Sequence, residues 1–597
     1  MDICISNTGM SQRRSSQSRH WARRLRRAIA VSTALAGMFM PAAAFASDAK
    51  AAPAKALSPI KHVIVIIPEN RTFDNYFGTY PNAANLPFEE SWIGVPAPKF
   101  FSLPDTPTVN GLTEELLTNN PNKTLDGQRA NPKRLRPADA YTCDHDHDYD
   151  ALQKAVNGGL MDKFPQSTAS TGRGCETNGR SVMDYYDGNT VQALWNYAQH
   201  YSMSDNHFST VFGPTLPGHL NLISGNTHGA VIHNAVTSSN VYISPIDGSV
   251  TNIKNFPPYL DDCGPDRGGT VVQPVQSMEG VNVGDLLNAK GVTWGYFQGG
   301  FKPTTPAVLD ASGNMISPAV CGSQHIDHTM VIDGKTYVVP NPTINPGNDI
   351  HTPVNDYSTG VCPFMQYPQS RNTHHLPYTS VDMIGKTDRA MHLYDISDFS
   401  TAIQSGHLPA VSWVKPPVYQ YGHPQNSDSL VEQAFLVQTI NEIMESKYWK
   451  DTAIIIVWDD SEGFYDHVAP PITRQSQTPL DSASSPGNCG TMEPGADFAR
   501  CGYGMRMPFL VISPWARQNF VDHSITDQTS VLRFIEENWG LGWIDGPNPP
   551  PYGTGSRDRY AGKIDSMFDF DSKPNTRKLI LDPVTGSVVR NSRGKGS

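Results

Sequence analysis

Past residue 46 the sequence has no run of 18 apolar residues, and so no segment that would span a bilayer as a helix. After the first 30 positions it has no cluster of basic residues, which excludes the charge footprint needed to grip duplex nucleic acid. No C-x-x-C pair marks a zinc site, no segment repeats, and no linker divides the chain. Glycine (49) and proline (48) are plentiful instead, together about 16 % of the 597 residues against about 12 % on average. This composition calls for a deep core with many turns and long connections, and it excludes collagen-like and wholly disordered chains.

Residues 13–27 carry seven arginines, Arg23-Arg24 and Arg26-Arg27 among them, followed by an apolar run from Ala28 to Met40 and then Ala44-Phe45-Ala46. This order reads as a signal peptide over 1–46, cleaved near Ala46, for a secreted or periplasmic protein. An N-terminal membrane anchor is disfavoured, since about 13 apolar residues fall short of a bilayer. Twin arginines suit export of a folded chain without deciding the route. Losing seven Arg and Asp2 takes the net charge from −11 to −17, so the mature chain is acidic, which disfavours tight adsorption to anionic membranes without bearing on a local binding surface.

Seven cysteines remain after Cys4 leaves with the leader, so at least one is unpaired. In an oxidising compartment disulfides are the default, and Cys489 with Cys501, closing a short loop, is the best candidate pair.

Apolar runs at Ile60 to Ile67, Val292 to Phe297, Ala410 to Val414, Ala453 to Trp458 and Pro508 to Ile512 predict buried strands of a largely parallel sheet. Between them, Leu430, Phe435, Val437, Ile440, Ile443 and Met444 form one helical stripe. Val531, Phe534, Ile535 and Trp539 form another, closed by Gly540. The class is α/β. The stretches 80–140, 230–290 and 300–400 lack periodicity and read as insertions roofing a cleft. The expected division is a catalytic domain over 47–560 and a peripheral C-terminal extension over 561–597.

Ligands of open α/β sheets collect at the carboxyl ends of strands. Two runs end alike there: Ile64 to Pro68 delivers Glu69-Asn70, and Ile454 to Trp458 delivers Asp459-Asp460. Each pair alone reads as a solvated turn; together, adjacent carboxylates at buried strand ends suggest a divalent cation bound through oxygen. Thr215, in Gly213-Pro214-Thr215-Leu216-Pro217-Gly218-His219, is either the cap of a helix or a nucleophile placed where helix-end N–H groups also hold phosphate oxygens. His147, His423 and His467 stand in polar, loop-like contexts, where each is a surface histidine, a phosphoryl-oxygen donor or a leaving-group acid. Cys263-Gly264-Pro265-Asp266-Arg267 has the form of a sulfatase nucleophile motif. The Gly268-Gly269-Thr270-Val271-Val272 that follows disfavours the helix such a cysteine opens, so a structural cysteine is the better reading.

The strings from Ile60 to Gly78 and from Trp458 to His467 resemble the two signatures of the bacterial phosphoesterase family, which joins non-haemolytic phospholipases C to secreted acid phosphatases. Intermediate matches lie at Tyr185 to Val191, Trp195 to Gln199 and Trp294 to Phe301, so the resemblance covers about 60 to 545. It implies an alkaline-phosphatase-like core with a central largely parallel sheet. It implies one divalent metal on Glu69, Asn70, Thr215, Asp459 and Asp460, with Ca, Mn or Mg favoured by the oxygen donors and Zn possible. Thr215 matches the family nucleophile, which forms a phosphoenzyme. His147 and His423 match histidines that hold phosphate or help the leaving group depart, and His467 is implied only as a support behind the metal ligands.

One departure stands out. Acid phosphatases of the family carry Pro-His-His before Pro-Phe, whereas this chain has Asp356-Tyr357-Ser358-Thr359-Gly360-Val361-Cys362-Pro363-Phe364. Either His351 substitutes from upstream or the leaving-group chemistry differs. The implied function is a secreted metal-dependent phosphoesterase acting on a small phosphoester or a phospholipid, with at most peripheral membrane contact and no nucleic-acid partner. The alternative is a catalytically silent secreted protein that binds phosphate or head groups, and a sulfatase ranks below both. Oligomeric state and the choice between monoester and diester stay open.

Overall fold

The computed structural model describes residues 53–591 apart from 88, 90–93, 172–174, 234–240, 245–247, 266–273, 333, 340–350, 492–498, 549 and 551–553. The leader and the residues 268–272 lie outside the described residues.

The centre is a nine-stranded sheet. In chain order its strands are β1 (His62–Ile66), β2 (Ser202–Phe208), β3 (Trp294–Gln298), β4 (Leu393–Asp395), β5 (Val411–Lys415), β6 (Thr452–Val457), β7 (Arg506–Ile512), β8 (Phe520–Asp522) and β9 (Thr526–Asp527). In space they run β4-β3-β5-β1-β6-β7-β2-β8, with β9 also paired to β2. All are parallel except β7, which is antiparallel to both β6 and β2. The expected α/β class and all five expected strands are present. The reversal of β7 is invisible in its apolar run, because burial on both faces removes the alternation that distinguishes strand environments.

β2 has no apolar run at all, yet it lies inside the sheet. Several of its polar groups find local partners: His207 Nδ1 lies 3.0 Å from Thr526 Oγ1, and Ser202 donates to the Met567 carbonyl at 2.8 Å. Satisfied polar groups are tolerated in a core, and a hydropathy pattern does not register them.

Four helices matter for the site: α1 (Phe73–Phe77), α2 (Thr215–Ser224), α3 (Ser429–Glu445) and α4 (Thr529–Trp539). Asp428 caps α3 by accepting from Leu430 and Val431 N–H, and Gly540 closes α4 at φ 58°. Pro214, not Thr215, is the residue before the first turn of α2. The cap reading of Thr215 therefore gives way, and its hydroxyl is free for another partner.

The insertions are built rather than loose. Within 230–290 the segments Val241–Ile243, Val250–Asn252, His228–His233 and Val275–Met278 form a four-stranded antiparallel sheet. The stretch after 560 is not peripheral: Ile564, Met567, Phe568, Leu579 and Leu581 are buried in the same core as the sheet. Asn441 on α3 donates to the Leu581 carbonyl at 2.8 Å. Three disulfides join Cys143–Cys175, Cys263–Cys321 and Cys489–Cys501, leaving buried Cys362 free. A Cys263 held in a disulfide is not available for conversion to formylglycine, which removes the sulfatase reading.

Candidate active site

The site follows from sheet register. Each residue of β1 faces the residue 390 positions on in β6, from His62 with Thr452 to Ile66 with Ile456. Continued past the strand ends, that offset sets Glu69 beside Asp459 and Asn70 beside Asp460. The Asn70 N–H points at Asp459 Oδ1 at 3.4 Å, and the Arg71 N–H donates to the Asp460 carbonyl at 3.0 Å. On the other flank of β1, Lys415 ends β5, and its Nζ lies 2.6 Å from Glu69 Oε1 with both side chains buried.

Helix α2 brings Thr215 to the same edge, with Oγ1 3.3 Å from Asp460 Oδ2. Gly218 permits the close approach, since a Cβ there would lie 2.0 Å from the Asp459 carbonyl oxygen. The expected row of free helix-end N–H groups is depleted, because Leu216 N–H donates to Asn255 Oδ1 at 2.8 Å and Pro217 has none.

His147 and His423 face each other across the site, their ring centroids 6.1 Å apart. Each Nδ1 lies 2.7 Å from a backbone carbonyl, His145 for one and Pro424 for the other. A carbonyl only accepts, so Nδ1 carries hydrogen in both rings and Nε2 is the working nitrogen. His147 Nε2 is 3.9 Å from Asp460 Oδ2, and His423 Nε2 is 3.7 Å from Glu462 Oε2. Glu462, named in the sequence only within its string, joins the two halves. Its Oε2 accepts from Asn70 Nδ2 at 2.5 Å and its Oε1 from the His145 N–H at 2.9 Å.

A further layer holds these parts. Buried Arg71 donates to the carbonyls of Asn70 at 3.1 Å and Gly422 at 2.7 Å, and to Tyr76 Oη at 3.0 Å; Tyr76 in turn donates to Glu432. Arg71, next in sequence to the metal-ligand candidate Asn70, thereby ties it to the loop that carries His423. His467 stands apart from the carboxylates. Its Nδ1 lies 2.7 Å from Asp74 Oδ2 on α1, and Arg506 bridges Asp74 and Asp466. His351 directs Nε2 to the Val339 carbonyl at 2.9 Å.

The electrostatics are those of concentrated negative charge. Burial first, then the Glu69 charge, push Asp459 up to about 7; burial, then Asp459 against the opposing pull of His147, pushes Asp460 up to about 6. Burial also raises Glu69, against Lys415, and raises Glu462 strongly. Burial would lower His147, but Asp460 and the His145 carbonyl outweigh it and raise it; for His423 burial prevails and lowers it. Asn70 Oδ1 and Asp459 Oδ2 are buried without a hydrogen-bond partner. Unpartnered oxygens beside carboxylates short of countercharge fit a bound divalent cation.

Residues 60–542 match the family model described as the Phosphoesterase family, and the chain belongs to that family. It is a phosphoric ester hydrolase. Phospholipase C B of Mycobacterium tuberculosis is 25 % identical over 531 residues, which cover 88 % of this chain and 81 % of that protein. The non-hemolytic phospholipase C of Pseudomonas aeruginosa is 23 % identical over 547 residues, 89 % of this chain and 60 % of that one. Among solved structures, an alkaline phosphatase superfamily protein from Vibrio parahaemolyticus aligns over 80 % of this chain and 79 % of its own at 10 % identity. Its TM-score of 0.27 is too low to carry an argument.

Sequence reasoning missed Lys415, which directly follows an apolar run and would have been found by inspecting every strand end. It also passed over Glu462, inside a string already quoted.

Proposed function

We propose that this hydrolase is secreted, depends on one divalent metal, and cleaves phosphodiesters of the phospholipid kind through a phosphorylated Thr215. The observation that carries the proposal is the hydroxyl of Thr215 turned to Asp460 Oδ2 at 3.3 Å, at the edge where β1 and β6 deliver Glu69, Asn70 and Asp459. The names of the curated relatives support the diester preference.

Glu69, Asn70, Thr215, Asp459 and Asp460 would hold the metal, which when bound offsets phosphoryl charge and makes the threonine hydroxyl more acidic. In the first half-reaction Thr215 Oγ1 attacks phosphorus and passes its proton toward Asp460 Oδ2. The P–O bond to the leaving group breaks, and His147 donates from Nε2 to the departing oxygen. In the second half, water attacks phosphorus, the Thr215 Oγ1–P bond breaks, and His423 Nε2 takes the water proton. Asp460 then returns a proton to the threonine, and exchange with solvent releases the proton on His423 and reprotonates His147. Lys415 offsets the Glu69 charge throughout.

The test compares nitrophenol release from p-nitrophenyl phosphate and p-nitrophenylphosphorylcholine by wild type, Thr215→Ala and Thr215→Ser, before and after chelation. The diester should be preferred, Thr215→Ala should lose about 1,000-fold or more in kcat, and Thr215→Ser should keep part of it. Undiminished turnover by folded Thr215→Ala would end the phosphothreonine reading, and a monoester preference would make the protein an acid phosphatase. An amino terminus near Ser47 on protein recovered from the medium would support secretion.

A further inference from the structure

Residues four apart on a helix share a face, so α2 turns His219 to the same side as Thr215, one turn deeper. His219 is fully buried, and neither ring nitrogen has a hydrogen-bond partner. Its Nε2 lies 3.6 Å from Asp459 Oδ2, which is also buried without a partner. One ligand atom from each of Glu69, His219 and Asp459 falls within 4.8 Å of the others.

An unpartnered buried polar atom costs about 1–3 kcal/mol, so two of them facing each other, His219 Nε2 and Asp459 Oδ2, call for an explanation. A proton shared by His219 and Asp459 does not supply it, because 3.6 Å is beyond hydrogen-bond reach. The spacing suits neighbouring donors around one cation, each about 2.1 Å from it. Neither ring nitrogen is tied to another group, so a lone pair of the imidazole is available. Lys415 engages Glu69 at Oε1.

Resting on the metal reading above, we propose that His219 is a nitrogen ligand of that metal, added to the oxygen set. An imidazole among hard oxygen donors shifts preference from Ca and Mg toward Mn, Co and Zn.

The probe is Mn(II) added to metal-free full-length protein, read in two ways. The loss of the free-ion electron paramagnetic resonance signal gives stoichiometry and affinity. Electron spin echo modulation of the bound ion reports coordinated ¹⁴N. Wild type should bind Mn(II) with nitrogen modulation and should prefer it to Ca(II). His219→Ala should lose the modulation and about 10-fold or more in Mn(II) affinity, while its Ca(II) affinity falls less. His219→Gln, which keeps most of the volume without the imidazole, replaces Ala if that variant does not fold. Modulation unchanged in either folded variant, or absent from wild type, overturns the assignment of His219 and leaves the metal reading intact. Failure of wild type to bind any divalent ion overturns the metal reading itself.

Discussion

The buried pair of Lys415 and Glu69 supplies a measurable consequence. With Nζ 2.6 Å from Oε1 the gross attraction is about 6 kcal/mol at an effective dielectric of about 20, and most of it is offset by the cost of removing both charges from water. Removing one partner leaves the other uncompensated, so Lys415→Met and Glu69→Gln should each lower stability by about 3–5 kcal/mol. Removing both strands neither member of the pair, and the double variant should lose less than about 2 kcal/mol. The assay is urea unfolding at pH 8 with chelator present, which keeps the metal-binding role of Glu69 out of the comparison. Burial raises the Glu69 carboxyl, so in Lys415→Met it takes up a proton as pH falls, and the cost should shrink toward acidic pH. Single effects that add to the double within about 0.5 kcal/mol would refute the pairing as an energetic unit.

A pH effect remote from the site comes from Glu536 on α4, whose carboxyl burial, and then neighbouring Asp558, push up to about 11. Because this acid binds its proton more tightly when folded, its contribution is full below the unfolded value near 4.5 and declines as pH rises. Glu536→Gln should therefore gain on wild type by up to about 1.4 kcal/mol per pH unit between pH 5 and 8, and parallel urea-midpoint curves would dismiss the effect. Gly218→Ala places a Cβ 2.0 Å from the Asp459 carbonyl oxygen and forces α2 off the strand end. It should cost about 100-fold in turnover with the fold retained by circular dichroism; full activity would mean that this contact does not set the nucleophile's position.

The sequence shows the sheet where its strands are continuous apolar runs and conceals it where they are not. β1, β5 and β6 announce themselves because both faces are buried among hydrophobic side chains. β2 does not, because its serines, histidine and aspartate find hydrogen-bond partners inside the fold. Glu69, Asn70, Asp459 and Asp460 were legible because strand ends in such sheets face the ligand, and Thr215 because a Pro-rich turn opens a helix at it. That Thr215 would be the first helical residue and not its cap was not legible. Serine and threonine favour the cap position, and only the packing of α2 against Asp459 and Asp460 decides between the two. Lys415 was hidden by expectation: a lysine after an apolar run reads as the charged end of a strand, and its burial depends on β5 lying inside the sheet.

The central place of β1 explains why the site contains both signs of charge. It is paired to β5 on one side and to β6 on the other, both in parallel. Parallel neighbours deliver their carboxyl ends to one edge, so Glu69 receives the cation at the end of β5 from one flank and Asp459 from the other. Four of the five register pairs are apolar, Val63 to Ile66 against Ala453 to Ile456, all fully buried. A slip of one residue in that register would turn every one of these side chains to the opposite face. It would also set Glu69 beside Trp458 or Asp460 and break the alignment on which the proposed metal site depends. The hydrophobic core thus positions the candidate site several residues beyond its own last apolar contact, and the residues proposed for catalysis need contribute nothing to specifying the fold.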